Sequence, residues 1–354
     1  MRTESSVWEK WEAGIGKSNT TFMLRLKGKK IKNKNMFVML MPISFKPGEA
    51  SKNNLVDQNF LRNNMRLFLA MMILLLFITQ TIAGVFDDRN PSAQATAMSN
   101  AYVAVATDVW SGYFNPAGLA ALRNYEFGFA LQRPYNLKFF RNGFLGVALP
   151  LPERFGTIGL NIETFYVDYN GSQLSVENTI GLSHGFYLVN DMHSSFSAGY
   201  NLKYYYWELG ESVGGLDLGS AGTFGVDFGL QASIYRRTQV GVYVYNINGP
   251  TIGSEVAHDL PQRVVIGAAY KPFTGLTTSL AIEKTIGFDI QVQCGFEFYL
   301  ADWLALRAGA STNPSRFSTG FGIYFRGIQL DYSFQTHDVL AETHKFGFIY
   351  RLGG

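Results

Sequence analysis

The chain has 354 residues, of which 15% are aromatic and 16% charged, and its formal net charge is +3. The positive charge belongs to the front, because residues 1–83 carry 13 Lys/Arg against 5 Asp/Glu and residues 84–354 carry 17 against 22. This distribution argues against a basic nucleic-acid-binding body. A helical membrane protein needs about 20 consecutive apolar residues per span, and no such run occurs.

Residues 65–83 have the form of a secretory signal peptide. Met65 and Arg66 precede a 12-residue apolar core at 67–78, and Thr81 and Ala83 place small side chains before a cleavage site. A transmembrane anchor is the alternative, but the core is too short to span a bilayer. We predict export with cleavage near Ala83. Because a signal peptide begins a chain, residues 1–64 are predicted to be a disordered upstream extension.

Residues 84–123 lack regular alternation and are rich in small side chains. Asn115 and Pro116 interrupt regular structure, and Gly118 permits a tight path. The simpler interpretation is a short helix followed by a turn. The functional interpretation is a hatch that folds into the lumen of a barrel, with Asn115, Pro116, Ala117 and Gly118 as its structural and gating motif.

From residue 124 to residue 354 the apolar period is two. Large apolar residues at 224, 226, 228 and 230 alternate with small or polar ones that include Asp227 and Gln231. A soluble sandwich would point the apolar face to a core, whereas a transmembrane barrel points it to lipid. The signal peptide, strands of ten residues or more, and aromatic clusters at 204–207 and 298–299 favour the barrel.

This pattern predicts an all-β fold, a transmembrane antiparallel β-barrel of about fourteen strands. The large apolar face is predicted to meet lipid, and the small or polar face to line a wet interior. An arginine at Val226 should therefore cost about 2–4 kcal/mol, and one at Asp227 much less. The segments at 208–219 and 249–260 are predicted extracellular loops. The lumen-facing candidates are Asp227, Gln231, Gln291, Gln293 and Asp331. The strands are predicted to start near Asn124, Asn142, Phe155, Leu174, His193, Ala221, Thr238, Pro261, Leu276, Phe288, Trp303, Arg316, Gly327 and Thr343.

The chain carries little sign of catalytic chemistry. Its five histidines lack metal-ligand spacing. Ser183 and His184 are adjacent on a predicted strand and therefore face opposite sides, so they do not form a nucleophile–base pair. Cys294 falls on the apolar face and is interpreted as a lipid-facing residue. We predict that the protein is not an enzyme and uses no metal or cofactor.

Several motifs resemble a known family. Residues 101–108 (AYVAVATD) and 113–120 (YFNPAGLA) resemble the hatch signature of the long-chain fatty-acid transporter superfamily, the FadL-type barrels, and its PorV/PorQ-like group in particular. The resemblance extends over about residues 92–352, through 245–250 (YNINGP), 260–270 (LPQRVVIGAAY), 330–335 (LDYSFQ) and 343–350 (THKFGFIY). It implies fourteen outer-membrane strands around a hatch.

Two functions of different classes follow from these observations. The first is passive transport of small hydrophobic compounds, such as fatty acids, across the outer membrane. The second, implied by the PorV-like resemblance, is a secretion component that shuttles or anchors secreted proteins. A structural barrel without cargo is the third interpretation. In each case the expected partners include membrane lipids, with a hydrophobic substrate or secreted proteins in addition, and exclude nucleic acid.

Overall fold

A computed structural model describes residues 86, 89–152, 155–211, 215, 217–253 and 256–353 of the chain. The chain divides into two units, Met1–Gln80 and Thr81–Gly354. All described residues belong to the second unit. The predicted extension at 1–64 and the predicted signal peptide at 65–83 lie outside the described residues.

The second unit is a closed antiparallel barrel of fourteen strands, which confirms the predicted fold class. The barrel closes because the first strand pairs with both the second and the last strand, with Tyr125 opposite Leu352 and Glu126 opposite Ala148. We call the end where Tyr125 meets Leu352 the proximal end, and the opposite end the distal end. The barrel strands are β1 Tyr125–Arg133, β2 Phe140–Pro150, β3 Thr157–Tyr169, β4 Ser172–Asn190, β5 Ser194–Leu209, β6 Ser220–Ile234, β7 Thr238–Tyr245, β10 Arg263–Tyr270, β11 Leu276–Thr285, β12 Gln291–Ala301, β13 Leu304–Ser311, β14 Arg316–Phe325, β15 Ile328–Gln335 and β16 Thr343–Leu352.

Each predicted strand start falls within three residues of an observed one; the predicted Phe288, for example, compares with the observed Gln291. Two short strands, β8 (Thr251–Ile252) and β9 (His258–Asp259), form a separate hairpin at the distal end between β7 and β10. The segment predicted as a loop at 249–260 therefore holds a hairpin. Its Ile252 is buried against Phe86, Tyr205 and Leu260.

The outer face of the barrel is apolar on every strand. Every barrel strand has at least one large apolar side chain that faces away from the lumen and is at least 36% exposed. One such residue per strand, in the order β1 to β7 and β10 to β16, is Phe129, Leu145, Leu160, Leu182, Leu202, Phe228, Val240, Ile266, Leu280, Phe296, Leu306, Phe321, Leu330 and Phe346.

The aromatic cluster at 204–207 does not form a continuous outer band. Tyr204 is exposed, but Tyr205 is buried inside the barrel, where its hydroxyl donates to Asn246 Oδ1 at 2.9 Å. Trp207 also points inward and donates its indole N–H to Ser175 Oγ at 2.9 Å. The difference follows from the period of two, because consecutive strand residues cannot share one face.

Residues 89–123, which we call the lumen segment, precede β1 and contain α1 (Ala93–Ala97), α2 (Ser111–Phe114) and a 3-10 helix (Pro116–Ala121). α1 contacts β13, β14, β15 and β16, and the 3-10 helix contacts β3, β4, β5 and β6. A second 3-10 helix, Pro134–Asn136, follows β1. Within the described residues, none of the helices has the length and apolar character needed to cross a bilayer.

Candidate functional site

The lumen segment begins with a short helix of small side chains. Ser92 caps α1, because its hydroxyl oxygen accepts a hydrogen bond from the Ala95 N–H at 3.1 Å. Ala95 and Ala97 have no exposed surface. A Cβ placed on Gly320 of β14 would lie 2.7 Å from the Ala97 Cβ, so the barrel wall leaves no room for a larger side chain here. Small residues on both partners therefore bring α1 directly against the wall.

The residues predicted as the hatch motif fix the next part of the segment. The Asn115 side chain donates to the Val103 carbonyl at 2.9 Å and to the Leu230 carbonyl of β6 at 3.0 Å. Its oxygen accepts from the Ala117 N–H at 3.2 Å and so caps the 3-10 helix, whose first residue is Pro116. Asn115 therefore joins two parts of the segment to one strand.

Gly118 permits a close approach within the segment. A Cβ at this position would lie 1.9 Å from the Ala106 carbonyl oxygen, a distance that no side chain tolerates. Position 118 requires glycine because of packing, since the segment folds back on itself at this point.

Asp227, one of the predicted lumen-facing residues, lies at the centre of a buried polar cluster. Its carboxylate is 2.7 Å from the Lys203 ammonium and accepts from the Tyr243 hydroxyl at 2.8 Å and the Asn246 N–H at 2.8 Å. Asn201 donates to the same carboxylate at 3.1 Å and to the Gly112 carbonyl of the lumen segment. Asp227 has no exposed surface, so the interior is dry here, whereas the sequence predicted a wet one.

Three predicted glutamines face the interior in two different places. Gln231 donates to the Ala104 carbonyl of the lumen segment at 2.7 Å. Gln293 and Gln291 are hydrogen-bonded to each other at 2.7 Å on β12, and Gln293 also donates to Glu283 at 3.0 Å. Gln231 therefore holds the lumen segment, whereas Gln291 and Gln293 contribute to the wall at the distal end.

Asp331 belongs to a second buried cluster near the proximal end, centred on Arg307. The Arg307 guanidinium lies 2.6 Å from both the Asp331 and the Glu297 carboxylates, and its side chain is fully buried. Gln94 of α1 donates to Glu297 at 2.8 Å and thereby connects the cluster to the lumen segment. The structure does not bring Asp331 together with Asp227, since the two belong to separate clusters on opposite sides of the segment.

A third set of contacts holds the first residues of the segment at the distal end. Arg89 pairs with Glu177 at 2.6 Å and Glu163 at 3.2 Å and lies 4.0 Å from the centre of the Phe165 ring. The buried Lys345 ammonium donates to the Asn90 side-chain oxygen at 2.7 Å and to Thr96 Oγ1 at 2.8 Å. These groups come from β3, β4 and β16.

Asp108 is a charged residue on the proximal side of the segment. Its carboxylate accepts from the Tyr102 hydroxyl and the Trp110 N–H, each at 2.9 Å. Burial, with the nearby Glu126 carboxylate as the next cause, raises the pKa of Asp108 to about 7. Asp108 lies on the wall of the proximal cavity, which is described next.

Two cavities lie on either side of α1. The distal cavity has a volume of about 550 Å³ and the proximal cavity about 640 Å³. Thr96 and Ser99 line the distal cavity, whereas Gln94 and Met98 line the proximal one. α1 and the turn after it therefore separate the two spaces. The distal cavity combines aromatic walls with charged groups: Phe140, Phe165, Phe288, Arg316, Glu177 and Lys345.

The charged residues that hold the segment are not among those predicted from the sequence: Arg89, Glu163, Glu177, Lys203, Glu297, Arg307 and Lys345. Six of them lie on strands, and the alternation that identified Asp227 could have found them. Lys203 and Tyr205 share a face, for example, and the pattern of β13 places Arg307 with Ala305 on the inner face. Arg89 precedes the first helix, where no periodic signal exists.

The catalytic alternatives gain no support from the geometry. Ser183 is buried and faces inward, whereas the neighbouring His184 is half-buried on the outer face and hydrogen-bonded to the Phe155 carbonyl. Cys294 is exposed on the outer face. In the described part of the chain, no three His, Cys, Asp or Glu side chains gather in a way that suits a metal ion.

Comparisons with known proteins reveal similarity at the level of structure. No family model matches the sequence, and no curated protein matches it significantly. The Ralstonia pickettii toluene transporter TbuX superposes with a TM-score of 0.54 over 76% of this chain and 100% of its own, at 10% identity. The CymD monoaromatic hydrocarbon channel gives 0.53 over 76% and 100%, also at 10% identity. A Pseudomonas aeruginosa FadL homologue gives 0.51 over 74% and 98%, at 10% identity. The chain therefore shares the fold of FadL-type barrels.

Proposed function

We propose that the protein spans the bacterial outer membrane and passively passes small hydrophobic compounds, fatty acids among them, through its barrel. The observation that carries the proposal is the pair of cavities on either side of α1, inside a barrel whose outer face is apolar on all fourteen strands. Soluble proteins rarely expose so large an apolar surface, whereas a transmembrane barrel requires it. The solved barrels of similar fold include channels for toluene and other monoaromatic hydrocarbons.

The distal cavity suits a compound with an apolar body and a small polar group. Phe140, Phe165 and Phe288 supply aromatic surface, and the buried Arg316 Nε and Gln132 Oε1 have no hydrogen-bond partner among the described residues. An apolar solute would replace water against the rings, and a polar group on it would satisfy these atoms.

Passage between the cavities requires α1 to move. Its neighbouring residue Ser99 contacts Ser318 of β14, with 3.1 Å between the two hydroxyl oxygens. In this proposal the lumen segment, predicted as residues 84–123, acts as the hatch. The predicted cleavage near Ala83 would release the mature chain shortly before Phe86, the first described residue.

A reversible cross-link tests the proposal. Ser99→Cys with Ser318→Cys, in a Cys294→Ala background, allows a disulfide between the segment and β14. We expect bacteria that carry the oxidised barrel to take up radiolabelled toluene and oleate slowly, and reduction to restore the rate, while uptake of a sugar stays low in both. Uptake no faster than in cells without the barrel would refute transport. Equal uptake by the oxidised and reduced forms would refute the hatch.

The secretion role remains the alternative of a different class, and it rests on the sequence resemblance to the PorV/PorQ-like group. Co-purification separates the two roles. A transport protein should retain hydrophobic small molecules after extraction, whereas a secretion component should retain secreted proteins. Mass spectrometry of both fractions from one preparation decides between them.

A further inference from the structure

The outer face of the barrel carries a hollow over β1, β2, β3 and β16. Its volume is about 920 Å³, and its apolar walls include Phe129, Leu145 and Phe346. Gly143, which faces outward on β2, leaves the floor open. A Cβ built there would have one neighbouring atom within 4 Å, Leu131 Cδ2 at 3.8 Å. The missing side chain therefore creates a depression in an otherwise bulky apolar surface.

Charged groups gather at the distal end of this hollow. Arg133 and Arg141 lie there, together with Asp168, and Arg141 forms an ion pair with Asp168. Arg133 is exposed and has no hydrogen-bond or ion-pair partner among the described residues. The hollow thus has one uncompensated positive charge at the distal rim and apolar walls below it.

From this arrangement we infer that the hollow binds a membrane lipid with an anionic phosphate headgroup. One acyl chain would lie along Phe129, Leu145 and Phe346 over Gly143, and the headgroup phosphate would contact Arg133. The planar guanidinium matches two phosphate oxygens at once, so arginine suits this role better than lysine does. The charges lie at the rim of the barrel, where lipid headgroups meet a transmembrane barrel.

This inference rests on the proposed membrane location and is independent of what passes through the lumen. Recognition of the phosphate, as opposed to general lipid contact, depends on Arg133. Recognition of the acyl chain depends on the open floor at Gly143. The two features can be removed separately: Arg133→Gln removes the charge and keeps the hollow, whereas Gly143→Leu fills the hollow and keeps the charge. A Cβ at Gly143 meets open space, so we expect the second variant to fold.

Two matched controls place the same changes elsewhere on the outer face. Lys284→Gln removes an exposed cation at the distal end of β11, away from the hollow. Ala268→Leu enlarges an outward side chain on β10, beside a different depression. Neither residue contributes to the hollow over β1 to β3.

The test is native mass spectrometry of the purified full chain in neutral detergent with added phosphatidylglycerol or phosphatidylcholine. We expect the wild type and both controls to retain one phosphatidylglycerol in preference to phosphatidylcholine. Arg133→Gln should weaken retention roughly tenfold, the size of one charge-assisted contact, and Gly143→Leu should weaken it as well.

Four outcomes would overturn the inference. Equal retention of phosphatidylglycerol by Arg133→Gln and the wild type would refute the contact between Arg133 and the phosphate. Equal retention of phosphatidylglycerol and phosphatidylcholine by the wild type would refute the preference for an anionic headgroup. A dimer that is present in the wild type and lost in Gly143→Leu would assign the hollow to a second copy of the chain. If the wild type fails to fractionate with membranes, the proposed membrane location itself is wrong. A protein that fractionates with membranes but shows no lipid preference would refute the lipid site alone.

Discussion

The Lys345 ammonium, on the last strand of the barrel, donates to the Asn90 side-chain oxygen at 2.7 Å, although the two residues are separated by 255 positions in the chain. The same ammonium donates to Thr96 Oγ1 on α1 at 2.8 Å. One buried cation therefore fixes both the approach to α1 and α1 itself. Because α1 separates the distal and proximal cavities, this contact bears directly on whether the lumen is closed.

Lys345→Met should loosen α1. The change removes the hydrogen bonds from Lys345 to Asn90 and Thr96. Asn90 Oδ1 still accepts from the Thr96 hydroxyl, but Thr96 Oγ1 and the Asn90 backbone carbonyl lose their donor, at a cost of about 1–3 kcal/mol. We expect faster uptake of small solutes through the barrel and earlier cleavage of the lumen segment by added protease. The control is Lys284→Met, which replaces an exposed lysine on β11 and should behave as the wild type. Unchanged uptake and unchanged protease sensitivity in Lys345→Met would contradict the prediction.

Lys203→Met should destabilise the barrel strongly. It leaves the fully buried Asp227 carboxylate without its counter-charge, and breaking a buried pair costs about 3–5 kcal/mol. The double change Lys203→Met with Asp227→Leu should recover part of this loss, because it removes both charges. Urea unfolding in detergent measures the difference. A double variant no more stable than Lys203→Met would argue against the charge explanation.

Asp227→Arg is now expected to be at least as damaging as Lys203→Met. The sequence predicted a small effect on the assumption of a wet lumen. In the structure a new arginine would lie beside Lys203 in a buried space. None of the groups that contact Asp227 is a second acid, so no carboxylate there would neutralise the two positive charges. We expect Asp227→Arg to fail to assemble. Gln291→Arg, beside the distal cavity, should assemble normally.

Gly118→Val should displace the lumen segment. The new Cβ would have to lie 1.9 Å from the Ala106 carbonyl oxygen, so the backbone must shift. We expect increased leakage of small solutes and a lower unfolding temperature. Gly143→Ala is the matched control, since its Cβ meets open space on the outer face. Equal leakage by the two variants would mean that the segment tolerates the displacement.

Asp108 should make stability fall as pH rises. Its pKa of about 7 in the folded state exceeds the ordinary value of 3.8, so the folded protein holds a proton that the unfolded chain releases. This contribution is fully present below about pH 3.8 and is lost as pH rises to about 7. Asp108→Asn keeps an acceptor for the Trp110 N–H and should flatten the dependence. Urea midpoints at a series of pH values test this, and identical slopes for both proteins would contradict it.

Phe228 and Asp227 should differ in their access to lipid. Phe228 is 42% exposed on the outer face, whereas Asp227 has no exposed surface. A spin label at 228 in a reconstituted bilayer should respond strongly to dissolved oxygen, and one at 227 should not. Phe228→Arg should cost about 2–4 kcal/mol in a bilayer if the site lies near the midplane. A label at 228 that responds only to water-soluble reagents would contradict the membrane location.

The sequence by itself determined the strands and their faces. Alternation is a local property of a few consecutive residues, which is why the inward positions of Asp227, Gln231 and Asp331 and the start of every barrel strand could be predicted from it. The same rule put Ser183 and His184 on opposite faces. The non-alternating stretch before Tyr125 marked the lumen segment for the same reason.

Only the tertiary structure decided which inward residues meet. Strand pairing and barrel closure set the neighbours of Lys345, and no local pattern links it to Asn90. The burial of Asp227 also depends on Lys203 and on Tyr243 from a strand farther along the chain. The dry surroundings of Asp227 follow from how closely the lumen segment packs beside it, and that depends on the space between fourteen strands. Such contacts are long-range, so a period of two contains no information about them.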